Sequence, residues 1–271
     1  MKTQITTIAA AVALIMSASA LAQTSPTSDK FDDSIDEIDS MAGPLYDGSG
    51  AGSDSFIEQD GNNNDTSVTQ WGTQYSRIQQ DGSNNSASVS QDDRVGVATT
   101  NPGRNYSLIE QDGTGNDANL NQLGVKNDSI IKQEGSGGWG RWGYSYGGYN
   151  DADVMQSGEF NDSYVEQSGY KNDSSVVQMG NYNDSYVLID GSYNDTFTTQ
   201  NGDELDSHIL IDGNSNYAAV NQSGFGHDSF IHTEGDGNTH YVNQSGTFGG
   251  QHFSQILTNG NGNYNVVSQG N

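Results

Sequence analysis

From about residue 53 onward the chain nearly repeats itself every eleven residues, as in SYVEQSGYKNDSSVVQMGNYNDSYVLIDG over residues 163–191. Such a period decides the fold before any motif is weighed, because each unit is too small to bury its own apolar residues and must stack on its neighbours. Aligned on its recurring Gln, the repeat gives eighteen segments. Fourteen end in Gln: Gln59, Gln70, Gln80, Gln91, Gln111, Gln122, Gln133, Gln156, Gln167, Gln178, Gln200, Gln222, Gln244 and Gln269. Ile189, Ile211, Thr233 and Thr258 stand in the other four. Two residues later comes Gly in sixteen segments, among them Gly61, Gly72, Gly82, Gly113, Gly124, Gly158, Gly169, Gly180, Gly191 and Gly213. A glycine at that place marks a turn.

Two residues before the Gln position stands Ile, Val or Leu, with Thr198 the one exception, and four before it stands Ser, Ala or Thr in nearly every segment. Six before it lies Asn in thirteen segments, including Asn64, Asn85, Asn116, Asn127, Asn161, Asn172, Asn183 and Asn194. Positions spaced by two share one face of an extended chain, whereas a helix would scatter them. Each segment is therefore a short strand whose inward face reads Asn, small, aliphatic, Gln. A single strand of this kind is unstable alone, and a pair is marginal. Stacked rungs of two strands and two turns, repeating at roughly 4.8 Å, would align like residues into amide ladders around a thin dry seam.

A rung of 22 residues rather than 11 follows from the exceptions. Ile189, Ile211, Thr233 and Thr258 all fall on odd-numbered segments, and so do the acids after the Gln position at Asp60, Asp81, Asp112, Glu134, Asp190, Asp212 and Glu234. Odd and even segments thus belong to different sheets, and the predicted fold is an all-β solenoid of about nine rungs with two parallel cross-β sheets. Ile189 begins an aliphatic column where the earlier rungs carry an amide column.

Composition agrees with a fold held by backbone pairing. Only 31% of the 271 residues are hydrophobic and 35 are Gly, so a conventional apolar core is not expected. Cysteine is absent, and disulfides are therefore not the source of stability. Residues 1–22 carry Lys2, an apolar run and Ala20-Leu21-Ala22 before Gln23, the pattern of a secretory signal peptide. That signal places the mature chain outside the cytoplasm, by way of the periplasm. No later stretch is apolar for 18 residues, so membrane insertion is not expected. The formal charge of −26 argues against nucleic acid as a partner and favours cations or salt.

The repeat, written out as S-Y-V-E-Q-S-G-Y-K-N-D-S-S-V-V-Q, resembles the curlin repeat, and the resemblance runs over about residues 53–271. Curlins are secreted subunits of curli, the functional amyloid fibres of bacterial biofilm matrix. The resemblance implies a self-polymerising β-solenoid subunit of an extracellular, pilus-like fibre serving cell adhesion and biofilm. It also implies a curlin nucleator and an outer-membrane curli export pore as partners. Residues 234–271 hold no Lys or Arg, unlike the basic last repeat that the family implies for a nucleator, so the likeness is to the major subunit. A minor or nucleating curlin and a monomeric β-solenoid adhesin are the alternatives.

Three segments depart from the repeat. Residues 23–52 are acidic and rich in Ser, Asp and Gly, and are read as a flexible N-terminal segment. Insertions at 92–104 and 136–149 fall between a Gln and the next strand, where extra residues loop outward without disturbing the ladder. The second carries Trp139, Arg141, Trp142, Tyr144 and Tyr146, aromatics able to stack on matrix polysaccharide.

Asp opens eleven strands on the outward face, among them Asp65, Asp117, Asp128, Asp162, Asp173, Asp184 and Asp195. Stacked carboxylates about 5 Å apart repel by roughly 1 kcal/mol in water-like surroundings, so assembly is expected to quicken at low pH, in salt or with divalent cations. Asp also serves as a gatekeeper against early aggregation. No catalytic residue, cofactor or metal site is expected. His208 and His232 take outward positions, His227 and His252 the Asn column, and His240 a small-residue slot, without metal-ligand spacing. The fold would make paired carboxylates everywhere, so they carry no sign of an enzyme.

Overall fold

The structure, a computed structural model, describes residues 53–93, 105–135, 148–247 and 250–270. Residues 1–22, read from the sequence as a signal peptide, residues 23–52, and residues 94–104 and 136–147 of the two insertions lie outside the described residues.

Among the described residues, eighteen strands form two nine-stranded sheets. One contains β1 (Asp54–Asn62), β3 (Tyr75–Ser83), β5 (Tyr106–Thr114), β7 (Asp128–Glu134), β9 (Asp162–Tyr170), β11 (Asp184–Ser192), β13 (Asp206–Asn214), β15 (Asp228–Glu234) and β17 (Phe253–Asn259). The other contains β2 (Asp65–Trp71), β4 (Ser86–Asp92), β6 (Asp117–Val125), β8 (Asp151–Glu159), β10 (Asp173–Asn181), β12 (Asp195–Asp203), β14 (Tyr217–Phe225), β16 (Thr239–Gly246) and β18 (Tyr264–Gly270). Parallel neighbours ordinarily need a long crossover. Here the crossover out of each strand is a strand of the facing sheet, and the result is a β-solenoid of about nine turns.

The pairing is parallel and in register throughout, so that Gln156 lies against Gln178 and Gln178 against Gln200. Alternate residues of each interior strand are buried, as in β9, where Ser163, Val165 and Gln167 face inward. One continuous aliphatic cluster runs through the solenoid from Ile78 to Ile256. Ile189 and Ile211 belong to it, at no more than 2% exposure. The amide-to-aliphatic exchange therefore widens the dry seam in those rungs, and burying one such side chain contributes about 2 kcal/mol.

Turns between the strands need two residues with positive φ. The first is the turn Gly; the second stands immediately before the Asn column and is not Gly in most rungs. Lys126, Phe160, Lys171, Tyr182, Tyr193, Glu204 and Ser215 all have φ between 53° and 59°. A left-handed conformation at such side chains costs about 1 kcal/mol or more. The stacked arcs offset it by pairing their backbone between rungs, as in Tyr193 N–H to Tyr170 O at 3.0 Å and Tyr182 N–H to Glu159 O at 3.0 Å.

The insertions are shorter at their edges than the spacing suggests. Asp92 is the last residue of β4, and Asp93 is 6% exposed, its carboxylate accepting from Thr73 N–H at 3.0 Å. It thereby occupies the rung position where other turns have Gly. At the end of the second insertion, Gly148 O accepts from Lys171 N–H at 2.7 Å and Tyr149 N–H donates to Thr114 O at 3.1 Å.

Candidate functional site: amide columns and open ends

In the even-numbered sheet every Gln side chain donates its amide nitrogen to the Gln oxygen of the following rung. The steps from Gln70 through Gln91, Gln122, Gln156, Gln178, Gln200, Gln222 and Gln244 to Gln269 measure 2.7–3.1 Å. In the odd-numbered sheet the same chain runs from Gln59 through Gln80, Gln111 and Gln133 to Gln167, at 2.7–3.0 Å, and stops where Ile189 begins. All of these amides point toward the C-terminal end of the solenoid. From Gln70 onward each also reaches across toward the facing sheet: Gln178 Nε2 lies 2.8 Å from Asp162 O and 2.8 Å from Asn183 O. The Gln thus joins rung to rung and sheet to sheet. Buried as it is, it leaves backbone carbonyls without this donor if removed.

The Asn columns run the opposite way. Asn183 Nδ2 donates to Asn161 Oδ1 of the preceding rung at 2.9 Å, and the same oxygen accepts from Asn183 N–H at 3.2 Å. Asn183 Nδ2 also lies 2.9 Å from Gly202 O, so the side chain closes the turn of one rung against the next. Asn64, Asn85, Asn116, Asn172 and Asn194 fall in the even-strand column, and Asn127, Asn161 and Asn183 in the odd-strand column. Asn105, Asn150, Asn216, Asn238 and Asn263 extend them.

Three stand-ins show what the column requires. Gln74 Oε1 accepts from Asn105 N–H at 3.1 Å, and His227 Nδ1 accepts from His252 N–H at 3.1 Å. Leu205, fully buried, has no acceptor to offer and interrupts the column. Burial pushes the His227 imidazole below its ordinary value, and the nearby His252 adds to this, while hydrogen bonds to the backbone oppose it. Sequence reasoning placed His227 in the column but not as a backbone acceptor, because the direction of the column is invisible in the period.

The glycine column has a steric cause. Gly191 has a φ of 145°, and a Cβ added there would lie 1.8 Å from Gly213 O of the next rung. Gly61, Gly82, Gly158, Gly169 and Gly180 meet the next rung's Gly carbonyl at the same distance, to within 0.1 Å. Gly113, Gly124 and Gly213 also face a glycine carbonyl, while Gly72 faces the carboxylate of Asp93.

The outward Asp residues form two contiguous columns, Asp128–Asp162–Asp184–Asp206–Asp228 and Asp117–Asp151–Asp173–Asp195. Burial, then repulsion from Asp153, Asp117 and Asp173, pushes the Asp151 carboxyl up to about 6. Burial likewise pushes Asp228 up to about 6. Another outward column holds Tyr164, Tyr186, His208 and Phe230 in ring contact at 4.6–5.0 Å. His208, on the outer face, is nonetheless only 6% exposed. Among the described residues no group of three or more His, Cys, Asp and Glu is placed to hold a metal ion, and no helix is long and apolar enough to cross a membrane.

Among the described strands, β1 and β2 lie at one end of their sheets and β17 and β18 at the other. Ile57, Leu257, Tyr264 and Val266 there are 43–69% exposed.

Stacked parallel rungs with buried amide columns define a structural repeat protein of the β-solenoid class. Residues 150–178 and 213–246 match the family model of the curlin associated repeat, to which these segments are similar. No curated protein matches it.

Proposed function

We propose that this chain is a secreted subunit that joins to copies of itself through its open rungs, building curli-like functional amyloid fibres at the cell surface for adhesion and biofilm matrix. One observation carries the reading: the amide ladders reach the edge strands β1, β2 and β18, and all four edge strands, β17 included, keep the register of the interior. Edge strands of soluble proteins are usually blunted by bulges, Pro or inward charges. Here the inward positions of all four edge strands hold only Ser, Thr, Asn, Ile, Val and Gln. The curlin relation points the same way, to a structural subunit rather than a catalyst.

The Gln, Asn and Gly columns are the residues to which we assign templating, since an incoming rung finds on an open end the same donors and acceptors that an interior rung finds. A nucleator and an outer-membrane export pore are the partners this reading requires, with matrix polysaccharide or divalent cations as further ones. Residues 1–22 would direct export, and residues 23–52 would act as a spacer or export address.

Residues 23–271 diluted from denaturant, with and without preformed seeds, test the reading by thioflavin fluorescence, electron microscopy and fibre diffraction. Seedable fibres with a reflection at about 4.7–4.8 Å are the expected result. A folded monomer that never elongates refutes it and leaves a monomeric solenoid adhesin.

A further inference from the structure

The last two described rungs bury imidazoles where other rungs hold Asn or Ala. His240 stands in β16 between Ala218 of β14 and Asn265 of β18, in the slot that Ala118 and Ala152 fill earlier in the same sheet, and is fully buried. An imidazole fits there because the column opposite has become smaller. Asn265 reaches across its own rung to Thr258 of β17 at 3.2 Å. The same register one rung earlier sets His240 opposite Thr233, where preceding rungs carry Gln or Ile. His227, also fully buried, takes the Asn column on the turn before β15.

Both rings are held as neutral acceptors by the rung that follows them. Asn265 Nδ2 lies 3.2 Å from His240 Nδ1; an amide nitrogen only donates, so Nδ1 accepts and the ring proton sits on Nε2. His252 N–H donates to His227 Nδ1 at 3.1 Å, and His227 Nε2 lies 3.2 Å from Ser223 O, which fixes the same tautomer. A second proton has only Nδ1 to bind. There it turns an acceptor into a donor aimed at another donor, inside a buried site.

We propose that β17 and β18 are seated on the rung before them by a proton switch, and that protonation of His227 and His240 unseats them while the earlier rungs stay paired. His227 acts at the entry to β17 and His240 at β18, so both strands of the rung are held. The device lies within one chain and does not rest on the self-assembly proposed above.

No acid faces either ring to hold a second proton there. Around His240, β14 presents Ala218, β18 presents Asn265 and β15 presents Thr233, none of them ionisable. Around His227 the preceding turn presents Leu205, and the following turn presents His252, whose ring stacks on it at 5.0 Å. Asp228, the next residue, lies on the outer face of β15. Burial pushes both imidazoles below their ordinary value. The unfolded rung therefore binds protons that the seated rung refuses, and seating is lost as pH falls below about 6.5. Asp228, pushed up to about 6 by burial, responds in the opposite sense, because acid relieves its penalty as a carboxylate. The bonds from Gln244 to Gln269 at 3.0 Å and from Asn263 to Asn238 at 2.9 Å hold no titrating group and persist in acid.

Hydrogen exchange of the folded chain, residues 23–271, corrected for the intrinsic pH dependence of amide exchange, reads the seat at pH 7.5 and pH 5. Opening of β17 and β18 should rise at least about tenfold in acid, against a ceiling of roughly thirtyfold for each imidazole that is freed. Strands β9–β12, which contain no His, should not open further. The variant H227N/H240N keeps an oxygen acceptor at both places: H227N restores the usual column residue, and H240N repeats the Asn265–Thr258 pairing of the next rung. It should lose the acid response of β17 and β18, and each single variant should lose about half of it on a logarithmic scale. H232N, on the outer face, should keep the response whole. Wild-type β17 and β18 that do not open in acid, opening spread equally over β9–β12, or a full response in both single variants overturns the switch.

Discussion

Exchanging Gln178 for Ile reproduces at one rung of the even-numbered sheet what Ile189 does naturally in the odd-numbered one, yet the two sites should respond very differently. Gln178 is fully buried; it accepts from Gln156 at 2.9 Å, donates to Gln200 at 3.0 Å, and serves Asp162 O and Asn183 O at 2.8 Å each. With Ile there, the Gln200 oxygen loses its donor inside a dry core, which costs about 1–3 kcal/mol. The lost bonds to the two carbonyls add about 1 kcal/mol each. Extra apolar burial returns about 1–2 kcal/mol, leaving a net cost of about 1–4 kcal/mol, centred near 2.5. Ile189→Gln should cost only about 1 kcal/mol, because Gln167, whose amide now serves Asp151 O at 2.8 Å, lies in register beside it as a ready donor. Urea unfolding of the monomeric chain gives both values from the midpoint shift at unchanged slope. Hydrogen exchange should show the Gln178→Ile effect in β8, β10 and β12 and almost none in β1, since each rung touches only its neighbours. Equal costs for the two exchanges, or protection lost uniformly along the solenoid, would refute the directional ladder.

Gly191→Ala should cost at least about 3 kcal/mol through its clash with Gly213 O, whereas Gly262→Ala, where an added Cβ meets nothing within 4 Å, should cost about 1 kcal/mol for its φ of 67° alone; thermal unfolding of both variants decides. Asp151 is penalised as a carboxylate in the folded state, so its penalty is full above about pH 6 and gone below the ordinary carboxylate range near 3.8. Asp151→Asn should therefore stabilise by about 1 kcal/mol at pH 7, after allowing for solvent screening, and by nothing at pH 3.5. His227 acts in the opposite sense: its folded form stays neutral while the unfolded imidazole binds a proton near 6.5, so stability is lost as pH falls below that value. His227→Asn, which restores the usual acceptor, should help more at pH 5 than at pH 7.5, as melting temperatures at the two values would show.

Much of the architecture was legible because a strict period converts sequence position into spatial position. Spacing by two assigned the inward face, and the parity of Ile189, Ile211, Thr233 and Thr258 assigned strands to sheets and gave the 22-residue rung. Which side chains share a column follows from that alone. The period is silent about direction, so it could not tell that the Gln amides run toward one end and the Asn amides toward the other, or that His227 serves as a backbone acceptor.

Local chemistry misled only where stacking outweighed it. Tyr182, Tyr193 and Phe160 occupy a left-handed position that sequence rules reserve for Gly or Asn, because inter-rung backbone bonds hold the arc whatever the side chain. Asp93 fills a glycine slot, and His208 is buried on a face read as outward. By itself the sequence determined a two-sheet solenoid and the membership of its columns, since both are consequences of repetition. Only the tertiary structure decided the polarity of the ladders and the seats of the buried imidazoles, since a hydrogen bond's direction and a side chain's neighbours exist only once the rungs are stacked.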